Sequence, residues 1–119
     1  MASKELFRLD EKIALVTGAS RGIGEAIART LAAHGAQLIL ASRKIDDLKR
    51  VEEEIVREGG KAFSVACHTG EMGQIRLLFE EIRNRFKRLD ILVNNAATNP
   101  FFGDVLSADE KAWDKTVAV

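Results

Sequence analysis

Three glycines fall within one octet, Thr17-Gly18-Ala19-Ser20-Arg21-Gly22-Ile23-Gly24, and their spacing suits the binding of a pyrophosphate. Gly18 permits a tight turn where an extended segment ends. Gly22 lets backbone approach a phosphate with no side chain between, and Gly24 lets a following helix pack closely. That helix would offer its first N–H groups, which lack partners within the helix, and the positive end of its dipole to the anion. The spacing is G-x-x-x-G-x-G, not the commoner G-x-G-x-x-G. It also lacks the Gly-Lys-Ser/Thr ending of a nucleoside-triphosphate P-loop.

Three further groups carry polar chemistry. Ser42-Arg43-Lys44 lies about 20 residues beyond the glycine loop, where an acid usually bonds the 2′-hydroxyl of an NAD ribose. No acid stands there, and Asp46 and Asp47 come later. Arg43 can offer a planar fork to a 2′-phosphate, Ser42 a hydroxyl, and Arg21 a second cation, so NADP(H) is the expected dinucleotide. Asn94-Asn95-Ala96-Ala97 follows an apolar run and also reads as turn chemistry. The third group, Ala66-Cys67-His68-Thr69, ends another run.

The elements that must position these groups are legible as four apolar runs: Ile13–Val16, Leu38–Ala41, Ala62–Ala66 and Ile91–Val93. Each is nearly continuous, as strands covered on both faces are. Between them lie helical stripes: Ile23, Ile27, Leu31 and His34; then Ile45, Leu48, Val51 or Glu52, and Ile55, ended by Gly59-Gly60; then Ile75, Leu78, Ile82 and Phe86. Strand and helix alternate, which predicts a parallel sheet with helical crossovers. After the fourth run, Ser107-Ala108-Asp109-Glu110 reads as a capping box opening a fourth helix that carries Trp113, with Val119 inside or just past it. The predicted fold is α/β, a Rossmann-type doubly wound parallel sheet truncated to about four strands with flanking helices. Residues 1–119 form one partial dinucleotide-binding domain, with the fourth strand left as an edge.

Composition narrows the alternatives. Lys plus Arg and Asp plus Glu each number 18, scattered along the helices, so no net field recruits nucleic acid. No run approaches the length of a membrane span, and the first ten residues contain no apolar core of a signal peptide. A cytoplasmic setting is expected. The single cysteine, Cys67, cannot form an internal disulfide and reads as a buried thiol. His34, at the end of a helix stripe, reads as a helix C-terminal residue. No clustered metal ligands stand out.

The octet resembles the Thr-Gly-x-x-x-Gly-x-Gly motif of the short-chain dehydrogenase/reductase family. Asn94-Asn95-Ala96-Ala97, led in by Leu89-Asp90-Ile91-Leu92-Val93, resembles that family's Asn-Asn-Ala-Gly motif, with Ala97 in place of glycine. The likeness runs from about Lys12 to the C-terminus. It implies that Gly18, Ser20, Arg21, Gly22, Ile23 and Gly24 face the cofactor. It also implies that Asn94 ties neighbouring strands and Ala96 lies against the cofactor. Many members carry an aspartate at the His68 position, bonded to the adenine amino group. Here a neutral imidazole nitrogen can accept that bond, or the backbone can do the reading.

The resemblance further implies hydride transfer between nicotinamide and a carbonyl or alcohol. The family uses a tyrosine, a lysine four residues after it, a serine, and an asparagine in the fourth helix. This sequence contains no tyrosine, so no catalytic residue is assigned and the chain is expected to stop before them. The expected parent is an NADP(H)-dependent oxidoreductase acting on a small-molecule carbonyl or alcohol. It would be a homo-oligomer, with no nucleic-acid or membrane partner. The rival reading is a non-catalytic nucleotide-binding or self-associating module that ends here. Phe101 and Phe102 either line an apolar substrate pocket or belong to the core, and the substrate class stays open.

Overall fold

The computed structural model describes residues 8–95 and the backbone of Val117–Ala118. The elements alternate as the apolar runs predict: β1 (Ile13–Thr17), α1 (Gly22–Ala33), β2 (Gln37–Ser42), α2 (Ile45–Arg57), β3 (Lys61–Ala66), α3 (Met72–Phe86), β4 (Ile91–Val93) and β5 (Val117–Ala118). The sheet order is β3-β2-β1-β4-β5, and every pairing is parallel. The chain therefore winds outward from β1 to β3, then crosses back over β1 to lay down β4 on its other side. That reversal makes the cleft between the carboxyl ends of β1 and β4 the topological switch point.

Both faces of the sheet are covered, which is why its strands read as unbroken apolar runs. Ile13, Leu15 and Ile39 pack with Leu78, Phe79 and Ile82 of α3. Ala14, Val16, Leu38 and Leu40 pack with Ala28 of α1 and Leu48, Val51 and Ile55 of α2. Each fully buried Leu or Ile contributes about 1.5–3 kcal/mol relative to exposure. Register is held at the start of β1 by Asp90, whose carboxylate accepts the Ile13 N–H at 2.8 Å. The Asp90 N–H bonds back to the Ile13 carbonyl at 2.9 Å.

Two details differ from the sequence expectation. In α1 the buried residues are Gly24 and Ala28, whereas Ile23 is 72% exposed. Small residues let α1 lie close to β1, and Ile23 in its first turn is left exposed. At the C-terminus, Val117–Ala118 is extended and pairs in register with Ile91 and Leu92, so β4 has a neighbour and is not the edge expected. The outward N–H and C=O groups of β4 need partners, and a β-branched valine favours the extended backbone that supplies them. The capping box at Ser107–Glu110 and Trp113 lie outside the described residues.

Candidate dinucleotide-binding site

The site is built at the carboxyl ends of β1, β2, β3 and β4. The glycine loop leaves β1 with Gly18 at φ +62° and Gly22 at φ +61°, left-handed values that favour glycine. Around a Cβ placed on Gly22 there is open space, so this backbone stands free at the rim. Gly24 is the opposite case. A Cβ there would fall on the carbonyl oxygen of Gly18 and 2.8 Å from Asn95 Nδ2. The three glycines thus serve a turn, an open approach and a close packing, as their spacing predicts.

Thr17 and the two asparagines join the switch point. The buried Thr17 hydroxyl accepts the backbone N–H of Asn95 at 2.9 Å and lies 3.2 Å from Asn94 Oδ1, toward which it donates. Asn95 Nδ2 donates to the Gly18 carbonyl at 3.3 Å. Asn94 therefore bridges β4 and β1 through its side chain. Asn95, singled out only as turn chemistry, holds the loop itself. Ala96, Ala97, Phe101 and Phe102 lie outside the described residues.

On the β2 side, Ser42 Oγ and Ser20 Oγ stand 3.3 Å apart, linking the end of β2 to the glycine loop. Ser42 Oγ also accepts the N–H of Lys44 at 3.1 Å, turning the chain into α2. Arg21, Arg43 and Lys44 are exposed and have no ion pair among the described residues. Arg29 and Arg50 are instead engaged. Arg50 donates to both oxygens of Glu25, at 3.0 and 3.4 Å, and to the Ser20 carbonyl at 3.2 Å. Arg29 pairs with Glu25, Glu54 and Glu58. The Arg50 hydrogen bond is the main cause holding the Glu25 carboxyl below its ordinary pKa, with Arg29 adding to it against some desolvation. The network neutralises a carboxylate in the first turn of α1, where it would otherwise repel an anion.

Beyond β3, Cys67 is buried, its N–H bonds the Ser42 carbonyl at 2.8 Å, and burial pushes its thiol pKa up. His68 is half-buried, and its Nδ1 accepts the Gly70 N–H at 3.0 Å. His34 lies far away at the end of α1, with Nδ1 2.8 Å from the Thr30 carbonyl, as a helix C-terminal residue should. Among the described residues no three His, Cys, Asp or Glu side chains gather as metal ligands.

The sequence reading gave no role of their own to Thr17 and Asp90 and did not single out the Glu25–Arg50 pair. Glu25–Arg29 and Arg50–Glu54 have the i,i+4 spacing of helical ion pairs, which is a legible signal. The cross-helix pairing that joins them to the loop is not.

The residues present fit a dinucleotide. The open Gly22 backbone begins α1, Arg21, Arg43 and Lys44 are exposed at the glycine loop and the end of β2, and the Glu25 carboxylate in the first turn of α1 is ion-paired. The mouse protein "Dehydrogenase/reductase SDR family member 4" is 40% identical over the whole chain, which spans 44% of that relative's length. A metagenomic short-chain oxidoreductase, solved in complex with NADP, shares 34% identity at a TM-score of 0.78, covering 87% of this chain and 57% of its own. A 7α-hydroxysteroid dehydrogenase, solved with NADH and 7-oxo glycochenodeoxycholic acid, shares 37% identity at a TM-score of 0.72, covering 77% of this chain and 36% of its own. The family model described as short chain dehydrogenase matches residues 12–119. Glycine loop, sheet winding and asparagine bridge agree with that match, and the chain belongs to the short-chain dehydrogenase family.

Proposed function

We propose that the chain is the cofactor-binding part of an NADP(H)-dependent oxidoreductase that transfers hydride between nicotinamide and a small-molecule carbonyl or alcohol. In this reading Gly18, Ser20, Arg21, Gly22, Ile23 and Gly24 receive the pyrophosphate, and Ser42 and Arg43 the ribose and its 2′-phosphate. Asn94 and Ala96 border the nicotinamide half. The parent works in the cytoplasm as a homo-oligomer. The relatives include both an NADP and an NADH complex, so family membership alone does not choose between the cofactors.

The observation that carries the choice of NADP(H) is the contrast among the arginines. Arg29 and Arg50 are consumed by carboxylates, whereas Arg21 and Arg43 flank the Ser20–Ser42 contact with no ion pair among the described residues. No carboxylate stands at the end of β2 to select a 2′-hydroxyl. These 119 residues hold no tyrosine, so they bind cofactor without turning over substrate.

The test is a titration of the purified chain with NADPH and NADH, followed by nicotinamide fluorescence. NADPH should bind about tenfold more tightly, the worth of one charge-assisted hydrogen bond. With aldehydes and ketones added, the absorbance of NADPH should stay constant. Equal affinities would overturn the cofactor assignment, and steady NADPH oxidation would overturn the claim of inactivity.

A further inference from the structure

Arg50 of α2 bonds both ends of the stretch that carries the glycine loop into α1. Its Nη2 donates to the Ser20 carbonyl at 3.2 Å and to Glu25 Oε1 at 3.0 Å. Its Nη1 donates at 3.4 Å to Glu25 Oε2 and to Glu54 Oε2. One planar guanidinium thus grips the backbone just before Arg21 and the helix just after Gly24. The point charge of a lysine cannot match that fork.

Between the two anchors lie Arg21, Gly22, Ile23 and Gly24. Gly22 sits at φ +61° with open space where a side chain would pack, and Ile23 is exposed, so packing does little to fix the start of this turn. Glycine backbone is permissive, and its conformation here depends on what holds its ends. The peptide joining Ser20 to Arg21 is trans, so its C=O and N–H point in opposite directions. Because Arg50 draws the carbonyl toward α2, the Arg21 N–H faces away from α2. That N–H has no hydrogen-bond partner among the described residues. The Arg50 side chain is 48% exposed, so its ion pairs add little to overall stability. Its effect falls on the conformation of the loop.

We infer that Arg50 is a positioning residue for the dinucleotide. It presets the Ser20–Arg21 peptide and the first turn of α1, so that their N–H groups stand ready for a pyrophosphate, and it does not touch the ligand itself. The inference rests on the dinucleotide reading of the site. A loop ordered in advance does not have to be ordered when the ligand arrives, and the affinity gains by that amount. The pyrophosphate is common to NADPH and NADH, so losing Arg50 weakens both alike. Losing a residue that contacts the 2′-phosphate would weaken NADPH selectively.

The test compares the purified chain with Arg50→Met and Arg29→Met. Arg29 also pairs with Glu25 and Glu54 but makes no bond to the loop, so its loss controls for charge. Arg50→Met should weaken NADPH and NADH by about tenfold each, with their ratio and the melting temperature nearly unchanged. Arg29→Met should weaken them by less than about twofold. In the free chain, the Arg21 amide ¹⁵N shift should move in Arg50→Met and stay in place in Arg29→Met. Unchanged affinities in Arg50→Met, an equal loss in Arg29→Met, or a change in the NADPH to NADH ratio would each overturn the positioning role. Should Arg50→Met fail to fold, Arg50→Lys keeps the charge without the fork, and wild-type affinity in that variant overturns the role as well. A wild-type chain that binds neither dinucleotide, with the Arg21 shift responding as expected, overturns the dinucleotide reading and the positioning role with it.

Discussion

The hydroxyl of Thr17 accepts the backbone N–H of Asn95 at 2.9 Å, joining the end of β1 to the end of β4 across 78 positions of sequence. Thr17 is fully buried and Asn95 half-buried, so the lost partner is costly. The contact fixes the two strand ends between which the glycine loop emerges. Thr17→Val keeps the shape of the side chain and removes the acceptor. It should lower stability by about 1–3 kcal/mol, the cost of a buried N–H left without its partner. Urea denaturation of the two chains measures this directly, and an unchanged midpoint would show that the bond contributes nothing net.

Gly24 is the position where the loop tolerates no side chain. Gly24→Ala would drive a Cβ into the Gly18 carbonyl and toward Asn95 Nδ2. Backbone must shift to relieve it, and overpacking of this kind costs about 1–3 kcal/mol. Gly22→Ala meets no neighbour, and its cost is instead the left-handed backbone at φ +61°. Thermal unfolding should therefore report a loss for both. A crystal structure or amide shifts should show the Asn95 side chain displaced in Gly24→Ala only.

Arg43 is exposed and has no ion pair among the described residues, so replacing it should not disturb the fold. Arg43→Asp removes the fork offered to a 2′-phosphate and supplies the acid that a 2′-hydroxyl prefers. The NADPH to NADH affinity ratio should fall by at least about tenfold, with the melting temperature nearly unchanged. A ratio that stays put would locate the phosphate elsewhere, with Arg21 the next residue to replace.

Glu25 gives the fold an acid-sensitive joint. Its folded pKa is depressed, chiefly by the Arg50 hydrogen bond, so its contribution is complete above the unfolded value of about 4.3. That contribution is lost as pH falls through the lower folded value. Stability measured from pH 6 to pH 3 should decline for the wild type. The decline should be shallower for Glu25→Gln, which is already weaker at neutral pH. Identical slopes would mean that the Arg50 and Arg29 contacts do not favour the ionised carboxylate.

The amino-acid sequence by itself determined the alternation of strands and helices, the glycine loop between β1 and α1, and the lack of an acid at the end of β2. These are local requirements. A strand buried on both faces needs consecutive apolar residues, and a left-handed turn at Gly18 or Gly22 needs a missing Cβ. Only the tertiary structure decided which polar groups meet. Thr17 reaches Asn95 because the chain crosses back over β1 after β3. Arg50 reaches the Ser20 carbonyl because α1 and α2 share one face of the sheet, and Ile23 is exposed because alanine and glycine bring α1 in close. The contact of the Gly70 N–H with the His68 ring was likewise decided there. A sequence lists donors and acceptors, but a hydrogen bond exists only where folding brings one within about 3 Å of the other at a workable angle.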